Sequence, residues 1–309
     1  MAAAQREVGI LFLAQMGLGI LGNFSLLYVY NFPLFMGRKV RPTDLILSQL
    51  ALANSFVLFS RGVPHTIAVF GSKYFLNEAG CKFLFYFHRV ARGVSFTTAT
   101  LLSVFQTVKL CPSFSRWMEF RMRSPKCIGF CCSLCWVLHL FVNSVVPVNM
   151  IGPKHSKNTS VKINYEYCSS LNADRTVKFV VVVVFFTVDF VCLGLTVCAS
   201  GSVVVFLHRH RQRVQHIHSN SRSSRSSAEV RATGTILILV GSFFSFYSLS
   251  SLLSIWMTVF VIPGQWLVDT SMFLSSCFPA FSPFVLICSD TRITRFYFTC
   301  WTRKTFFPT

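Results

Sequence analysis

The feature that most constrains this chain is a series of long apolar segments, each long enough to cross a membrane. A bilayer core of about 30 Å needs roughly 20 apolar residues in a helix that rises about 1.5 Å per residue. We therefore predict an all-α membrane protein, a seven-transmembrane helix bundle that forms a single domain over residues 1–309. The predicted helices are residues 8–30, 44–70, 80–108, 127–150, 177–206, 233–261 and 265–288, followed by a short tail of residues 289–309.

The amino-acid composition favours the same class. Of the 309 residues, 53% are hydrophobic and only 13% are charged, whereas soluble domains have about 25% charged residues. The net charge of +19 would fit a nucleic-acid partner if the basic residues formed a solvated face. They lie instead between the apolar segments, as in membrane proteins. We expect membrane lipids and no nucleic acid around this chain.

The distribution of Lys and Arg predicts the orientation in the membrane. If the N-terminus lies outside, the inner connections and the tail carry about twice as many basic residues as the outer side, with Arg61 counted as outer. Cytoplasmic connections normally show such an excess. Asn158-Thr159-Ser160 is a glycosylation sequon, and this topology places Asn158 in an outer connection. We predict a multi-pass plasma-membrane protein with its N-terminus outside and its C-terminus in the cytosol.

Two of the twelve cysteines are predicted to form a disulfide. Cys81 opens the third helix and Cys168 precedes the fifth, so both face an oxidising compartment, where disulfides persist. A bridge would hold the second outer connection across the mouth of the bundle. Cys127, Cys131 and Cys135 share one face of the fourth helix, but a tetrahedral thiolate site is hard to build from a single helix. We expect no metal site.

Charged side chains within the apolar segments mark candidate functional positions, because charges are costly inside a membrane. Arg89 and Arg92 are three residues apart and share one face of the third helix, with His88 beside them. One interpretation is that they pair with Asp189 of the fifth helix or Asp269 of the seventh, only for packing. The other is that this layer borders a ligand cavity open to the outside. Both interpretations can hold together.

The sequence lacks the motifs of common enzymes. It has no Gly-x-Ser-x-Gly, no His-Glu-x-x-His and no Walker loop. It also shows no half-to-half repeat of interrupted helices, which argues against a transporter. We predict a protein that is not an enzyme and needs no cofactor. A transporter or channel is the alternative from a different class.

Five stretches of the sequence resemble the vomeronasal type-1 receptors, a rhodopsin-like family of G-protein-coupled receptors. They run from the first inner connection to the end of the seventh helix, over residues 41–54, 87–95, 102–106, 244–251 and 278–287. The resemblance therefore covers nearly the whole chain. The general rhodopsin-like anchors that it retains are Gly22-Asn23, Trp136 and Pro283.

Three departures from other rhodopsin-like receptors are shared by the vomeronasal family. Asn54 stands where most such receptors have a sodium-binding Asp, and Phe105-Gln106-Thr107 replaces Asp-Arg-Tyr. Ser282-Pro283 replaces the Asn-Pro pair of the seventh helix. These departures favour the vomeronasal family over other rhodopsin-like receptors. They argue against the sodium regulation and the ionic-lock mechanism of those other receptors.

The resemblance implies a receptor for pheromones or other small chemosignals that activates a Gi/Go-type G protein. We expect the ligand in the outer half of the bundle. We expect the G protein at the inner ends of helices three, five and six, where the residues are Gln106, Lys109, Arg209, Arg211 and Arg231. The alternative role of these basic residues is only to set the topology. A bitter-taste-like receptor is the alternative among receptors.

Overall fold

Seven long α-helices account for most of the chain that the structure, a computed structural model, describes. The described residues are 2–70, 75–110, 124–152, 161–165, 167–171, 175–217, 224–259 and 264–289. The helices are α1 (Ala2–Phe35), α2 (Pro42–Val69), α3 (Glu78–Leu110), α4 (Pro125–Val142), α5 (Arg175–Ile217), α6 (Ser224–Val259) and α7 (Gln265–Ser289). Between α4 and α5 lie a 3-10 helix (Val146–Asn149) and the strands β1 (Met150–Ile151), β2 (Val161–Asn164) and β3 (Ser169–Leu171).

Each predicted segment overlaps one of these helices, and the differences lie at the ends. α4 ends at Val142 rather than at residue 150, because Pro147 disfavours a continuous helix and the chain turns into the 3-10 helix. α5 continues past its apolar segment to Ile217, and α6 begins before its apolar segment, at Ser224. Apolar composition marks only the part of a helix that faces lipid, whereas helical hydrogen bonding continues through polar residues.

Six of the described helices, all except α3, are long and apolar enough to cross a membrane. Their large apolar side chains point away from the protein: Leu21 is 68% exposed, Phe141 75% and Trp266 71%. An outer surface of this kind is unfavourable in water and favourable against lipid. The chain is therefore a helical membrane protein.

α3 differs from the other helices because it carries charges and is enclosed by its neighbours. Lys82, Arg89 and Arg92 interrupt its apolar sequence, and the helix packs against α2, α4, α5 and α6. Most of its residues from His88 to Val108 are buried. A helix removed from lipid by other helices tolerates charges that a lipid-facing helix does not. The enclosed position of α3 explains why, of the seven described helices, it alone is less apolar than a lipid-facing span.

Among the described residues, buried apolar side chains form two large clusters and a third of only Ala53, Val90 and Val94. The first joins α1, α2, α3, α4, α6 and α7 in the middle of the bundle, through Leu26, Leu50, Phe96, Leu102, Ile128, Phe243 and Phe278. The second lies at the end where the strands are, which we name the sheet end. It combines helix residues with residues of the α4–α5 connection, namely Phe12, Cys81, Met150, Ile163, Tyr167, Met257 and Met272. The described residues of this connection are thus part of the core.

α1 and α7 approach each other closely because α1 has glycines at the contact. A Cβ atom at Gly19 would lie 2.8 Å from Ala280 Cα, and one at Gly22 would lie 2.9 Å from a side-chain carbon of Pro283. Asn23 Nδ2 donates to the carbonyl oxygen of Pro279 at 2.8 Å. Pro283 has no N–H to offer that carbonyl, so Asn23 supplies the hydrogen bond that α7 lacks.

The three strands form an antiparallel sheet in the order β1-β3-β2. Met150 pairs with Ser170, and Asn164 pairs with Ser169. A disulfide joins Cys81 in the first turn of α3 to Cys168 beside β3, with their Cα atoms 5.8 Å apart. The predicted bridge is confirmed, and it fastens the sheet to the end of α3.

The glycine contact predicts that a single methyl group at residue 19 destabilises the bundle. Gly19→Ala should cost about 1–3 kcal/mol, because its Cβ meets the backbone of α7. Gly17→Ala is the matched control, since nothing lies within 4 Å of a Cβ there and alanine favours helix by up to about 1 kcal/mol. Thermal unfolding of the purified protein in detergent measures both. Equal shifts in the two variants would contradict the close contact.

The disulfide predicts equal and non-additive effects of its two cysteines. Cys81→Ser and Cys168→Ser should each lower the free energy of unfolding by about 2–5 kcal/mol, because either change opens the same closed loop of sequence separation 87. The double variant should match each single variant in Tm and in the yield of folded protein. A double variant clearly less stable than either single variant would be inconsistent with this bridge.

Candidate functional site

Four of the five predicted pocket residues lie in one layer of the bundle: His88 and Arg92, which are buried, and Arg89 and Asp189, which are half-buried. Asp189 of α5 attracts Arg89 of α3 electrostatically, while Arg92 repels it. Asp269 lies in the second turn of α7, where its Oδ1 accepts a hydrogen bond from Gln265 Nε2 at 3.0 Å. The layer therefore joins residues of α3 and α5, and further residues of α2 and α6 complete it.

Arg92 is the most fully enclosed charge in this layer, at 8% exposure. Its Nη2 donates to Ser250 Oγ at 2.9 Å and to Ser251 Oγ at 3.0 Å. Its guanidinium carbon lies 4.7 Å from the centre of the Tyr247 ring, which is the distance of a cation–π contact. Among the described residues, hydroxyl groups and an aromatic face hold this cation, rather than the carboxylate of Asp189 or Asp269.

Tyr247 links the charges of the layer. Its Oη donates to Asp189 Oδ1 at 2.9 Å, and its ring stacks on Phe96 with centroids 4.0 Å apart. Arg92 is thus connected to Asp189 through the ring and hydroxyl of one residue. Sequence reasoning missed Tyr247 because it searched for charged residues, although Tyr247 lies in one of the stretches that carried the resemblance.

His88 is held between two residues of α2. Arg61 Nη1 lies 3.0 Å from His88 Nε2, and Ser60 Oγ lies 3.1 Å from His88 Nδ1. An arginine only donates, so Nε2 is the acceptor and Nδ1 carries the proton that is donated to Ser60. The count of basic residues assigned Arg61 to the outer side. Arg61 lies within α2, in the half nearer the sheet end, and its side chain points into the bundle.

A small cavity of about 20 Å³ adjoins this layer between α2, α3, α6 and α7, with room for roughly one water molecule. Arg92, Ser95, Ser250 and Ser275 contribute polar groups to its wall. The remaining lining residues are mainly aromatic or apolar, namely Val57, Phe243, Phe246, Tyr247, Phe278 and Pro279. A mostly apolar wall with a few fixed polar groups is typical of small-molecule sites.

Asn54 lies beside the cavity in a neutral hydrogen-bond network. Ser95 Oγ donates to Asn54 Oδ1 at 2.6 Å, and Asn54 Nδ2 donates to Ser282 Oγ at 3.0 Å. No carboxylate takes part in these bonds. In the part of the chain that the structure describes, no group of three His, Cys, Asp or Glu residues is arranged to hold a metal ion.

The α4–α5 connection covers the sheet end of the layer with two tyrosines. The Arg61 guanidinium lies 5.9 Å from the centre of the Tyr165 ring, and Tyr165 packs on Phe85 at 4.8 Å. Tyr167 is 1% exposed. Burial raises the pKa of both phenols, although the charge of Arg61 opposes the shift. Both tyrosines are therefore neutral at physiological pH.

The residues predicted to contact a G protein lie toward the opposite end of the bundle. Gln106 is buried at 8% exposure, whereas Lys109 in the last turn of α3 and Arg209 on α5 are exposed. Arg211 lies on α5 and Arg231 on α6, but their side chains are outside the described part. The predicted glycosylation site, Asn158, also lies outside the described residues.

Comparison with known proteins identifies this architecture. The chain matches the Vomeronasal organ pheromone receptor family over residues 6–299. It is 57% identical to human vomeronasal type-1 receptor 1, across 100% of this chain and 87% of that protein. It is 43% identical to human vomeronasal type-1 receptor 2, across 94% and 74% of the two chains. A zebrafish (Danio rerio) protein, olfactory receptor class A-like protein 1, is 32% identical across 92% and 90%.

The helical membrane bundle and these relatives define a chemosensory receptor rather than an enzyme. The chain belongs to the vomeronasal organ pheromone receptor family, whose members include the vomeronasal type-1 receptors. The resemblance drawn from its sequence motifs is confirmed.

The Tyr247–Asp189 hydrogen bond predicts a measurable loss of stability in Tyr247→Phe. Removing the hydrogen-bond partner of this half-buried carboxylate should cost about 1.5–3 kcal/mol. Tyr86→Phe is the matched control, because its Oη donates to a neutral acceptor, the carbonyl oxygen of Leu140 at 2.9 Å, and should cost about 0.5–1.5 kcal/mol. Thermal unfolding in detergent compares the two. A larger loss for Tyr86→Phe would show that Asp189 does not depend on Tyr247.

Proposed function

We propose that this chain is a plasma-membrane receptor that binds a small chemosignal in the outer half of its bundle and activates a Gi/Go-type G protein. The observation that carries this proposal is the layer of His88, Arg89, Arg92 and Asp189 beside an aromatic-lined cavity, in a chain of the vomeronasal receptor family. Family membership supports the general class of receptor. The ligand site and the type of G protein are proposed here.

In the proposed ligand site, a ligand can replace protein groups that hold Arg92. Arg92 is held by two neutral hydroxyls and a ring rather than by a carboxylate, so a polar ligand group can replace a serine at small cost. Tyr247 and Asp189 respond to any movement of Arg92, because one ring contacts both. Asp269, at the sheet end of α7, is proposed as a rim residue of the same site.

The proposed orientation puts the sheet end outside the cell. The disulfide lies at that end, and disulfides persist in oxidising compartments. The excess of Lys and Arg belongs to the other side. Asn158 is then available for glycosylation, and the tail is cytosolic.

The proposed G-protein surface is the cytosolic end of α3, α5 and α6. Thr107 Oγ1 donates to the carbonyl oxygen of Ala199 at 2.9 Å and ties α3 to α5 beside Gln106. Lys109 and Arg209 are exposed at this end. A ligand that binds one arrangement of α3 against α5 and α6 better than another shifts the population between them. We include Arg211 and Arg231 in this surface by their positions on the helices.

Coupling to a Gi/Go-type G protein distinguishes the proposed receptor from a transporter or a channel, and the ligand class distinguishes it from a bitter-taste-like receptor. Cells that express the chain should give a ligand-evoked signal that requires a Gi/Go-type α subunit. A ligand-gated current that persists without any G protein would establish the transporter or channel class instead. A bitter-taste-like receptor would respond only to bitter compounds and not to volatile chemosignals.

The role of Arg92 predicts the behaviour of two variants. Arg92→Ala should abolish or reshape the response to an agonist found by screening, while the receptor still reaches the cell surface, because the cation lines the cavity. Arg92→Lys keeps the charge and should retain part of the response. Reporter signal normalised to surface expression measures both. Reduced surface expression with a normal response per receptor would show a packing role.

A further inference from the structure

One face of α2 near the sheet end carries three buried polar atoms that have no hydrogen-bond partner among the described residues. They are Nε of Arg61 and both ring nitrogens of His65. The two residues are four apart and therefore share a helix face, and Arg61 acts electrostatically on His65. His65 is 1% exposed. Unpartnered polar atoms are rare in protein interiors, so three on one face require an explanation.

The surroundings of this face are aromatic. The rings of Phe12 and His65 are 4.4 Å apart, and Phe12 also contacts Phe273 of α7 at 5.6 Å. Tyr165 of the α4–α5 connection lies over Arg61. Nη1 of Arg61 already donates a hydrogen bond to His88. The atoms without a partner, Arg61 Nε and the two ring nitrogens of His65, therefore lie between α1, α2, α7 and the α4–α5 connection.

The chemistry of the three atoms selects their partner. Arg61 Nε carries a hydrogen and only donates, and neutral His65 has one donating nitrogen in either tautomer. Two donors on one helix face can converge on a single oxygen, because a carbonyl or carboxylate oxygen accepts two hydrogen bonds. The aromatic side chains around them suit an apolar skeleton.

We propose that Arg61 and His65 form a polar subsite that holds a carbonyl or carboxylate oxygen of an otherwise apolar ligand. The subsite rests on the proposed function, since it lies next to the layer of His88 and Arg92 and extends the same ligand site toward α1. His88 connects the two parts through Arg61. A hydrocarbon of the same shape leaves both donors without a partner and binds more weakly.

Pairs of probes that differ only in oxygen test this inference. We would use camphor against bornane, cyclopentadecanone against cyclopentadecane, and undecanoic acid against undecane, on the full-length receptor in a Gi/Go reporter cell. At least one oxygenated probe should act at a concentration about tenfold or more below its hydrocarbon partner. Equal potency within every pair would overturn the subsite.

Four single variants and one double variant test which residues bind the ligand oxygen. His65→Phe keeps the ring against Phe12 but removes both nitrogens, and Arg61→Met removes the donors. Each should raise the EC50 of the oxygenated probe about tenfold or more, and the double variant should be little worse than either, because both donors serve one oxygen. His65→Gln retains an amide donor and should stay within severalfold of the wild type. His139→Phe is the control at another buried histidine with an unpartnered nitrogen and should leave the EC50 unchanged.

The thermal stability of the ligand-free receptor tests whether the role of His65 is purely structural. His65→Phe should raise the Tm of the purified, ligand-free receptor, because it removes unpartnered polar atoms from a buried site. A lowered Tm, or equal loss of response to both members of a probe pair, would show that His65 only packs or binds water. Surface expression of an epitope-tagged chain confirms that each variant folds.

The failures of the subsite and of the proposed function are distinguishable. If no probe acts although the purified receptor accelerates nucleotide exchange on Gi/Go without ligand, the ligand class is wrong and the receptor function stands. If the receptor accelerates nucleotide exchange on no G protein, either with a probe or without ligand, the proposed function itself fails.

Discussion

The rest of the structure depends on the enclosure of the charges on α3. A guanidinium group such as that of Arg92 is costly in lipid, so the helix that carries it must be surrounded by others. Arg92 contacts Ser250, Ser251 and the ring of Tyr247, all on α6. The hydroxyl of Tyr247 then donates a hydrogen bond to Asp189 of α5. The contacts of one buried cation therefore connect three helices, α3, α5 and α6, and the candidate ligand site lies where that cation is held.

The sequence predicted the helices and the disulfide because both depend on local or chemical signals. Apolar segments mark lipid-facing helices, and two cysteines in an oxidising compartment pair. The predicted layer was recognised by its charges, so its neutral members, Ser250, Ser251 and Tyr247, were missed. Arg61 was counted on the outer side, but a count of charges along the chain contains no information on whether a side chain points into the bundle. Its partner His88 lies on another helix, and that contact exists only in the folded bundle.

The neutral network around Asn54 shows how this position of the bundle does without a carboxylate. Asn54 both accepts from Ser95 and donates to Ser282, which an ionised aspartate cannot do. The amide therefore joins α2, α3 and α7 without an ion. This arrangement gives a physical reason why Asn54 and Ser282 occur together in this chain, since the substitution of either one leaves the other without its partner.

The hydrogen bond from Asn23 to the carbonyl oxygen of Pro279 has a consequence for biosynthesis. Of the seven described helices α1 is synthesised before α7, so the contact between Asn23 and Pro279 can form only after both helices have been made. Until then Asn23 Nδ2 keeps its hydrogen bond to the carbonyl oxygen of Gly19 at 2.7 Å, while the glycine face of α1 has no helix packed against it. The α1–α7 contact therefore closes the bundle only after the rest of it has been made.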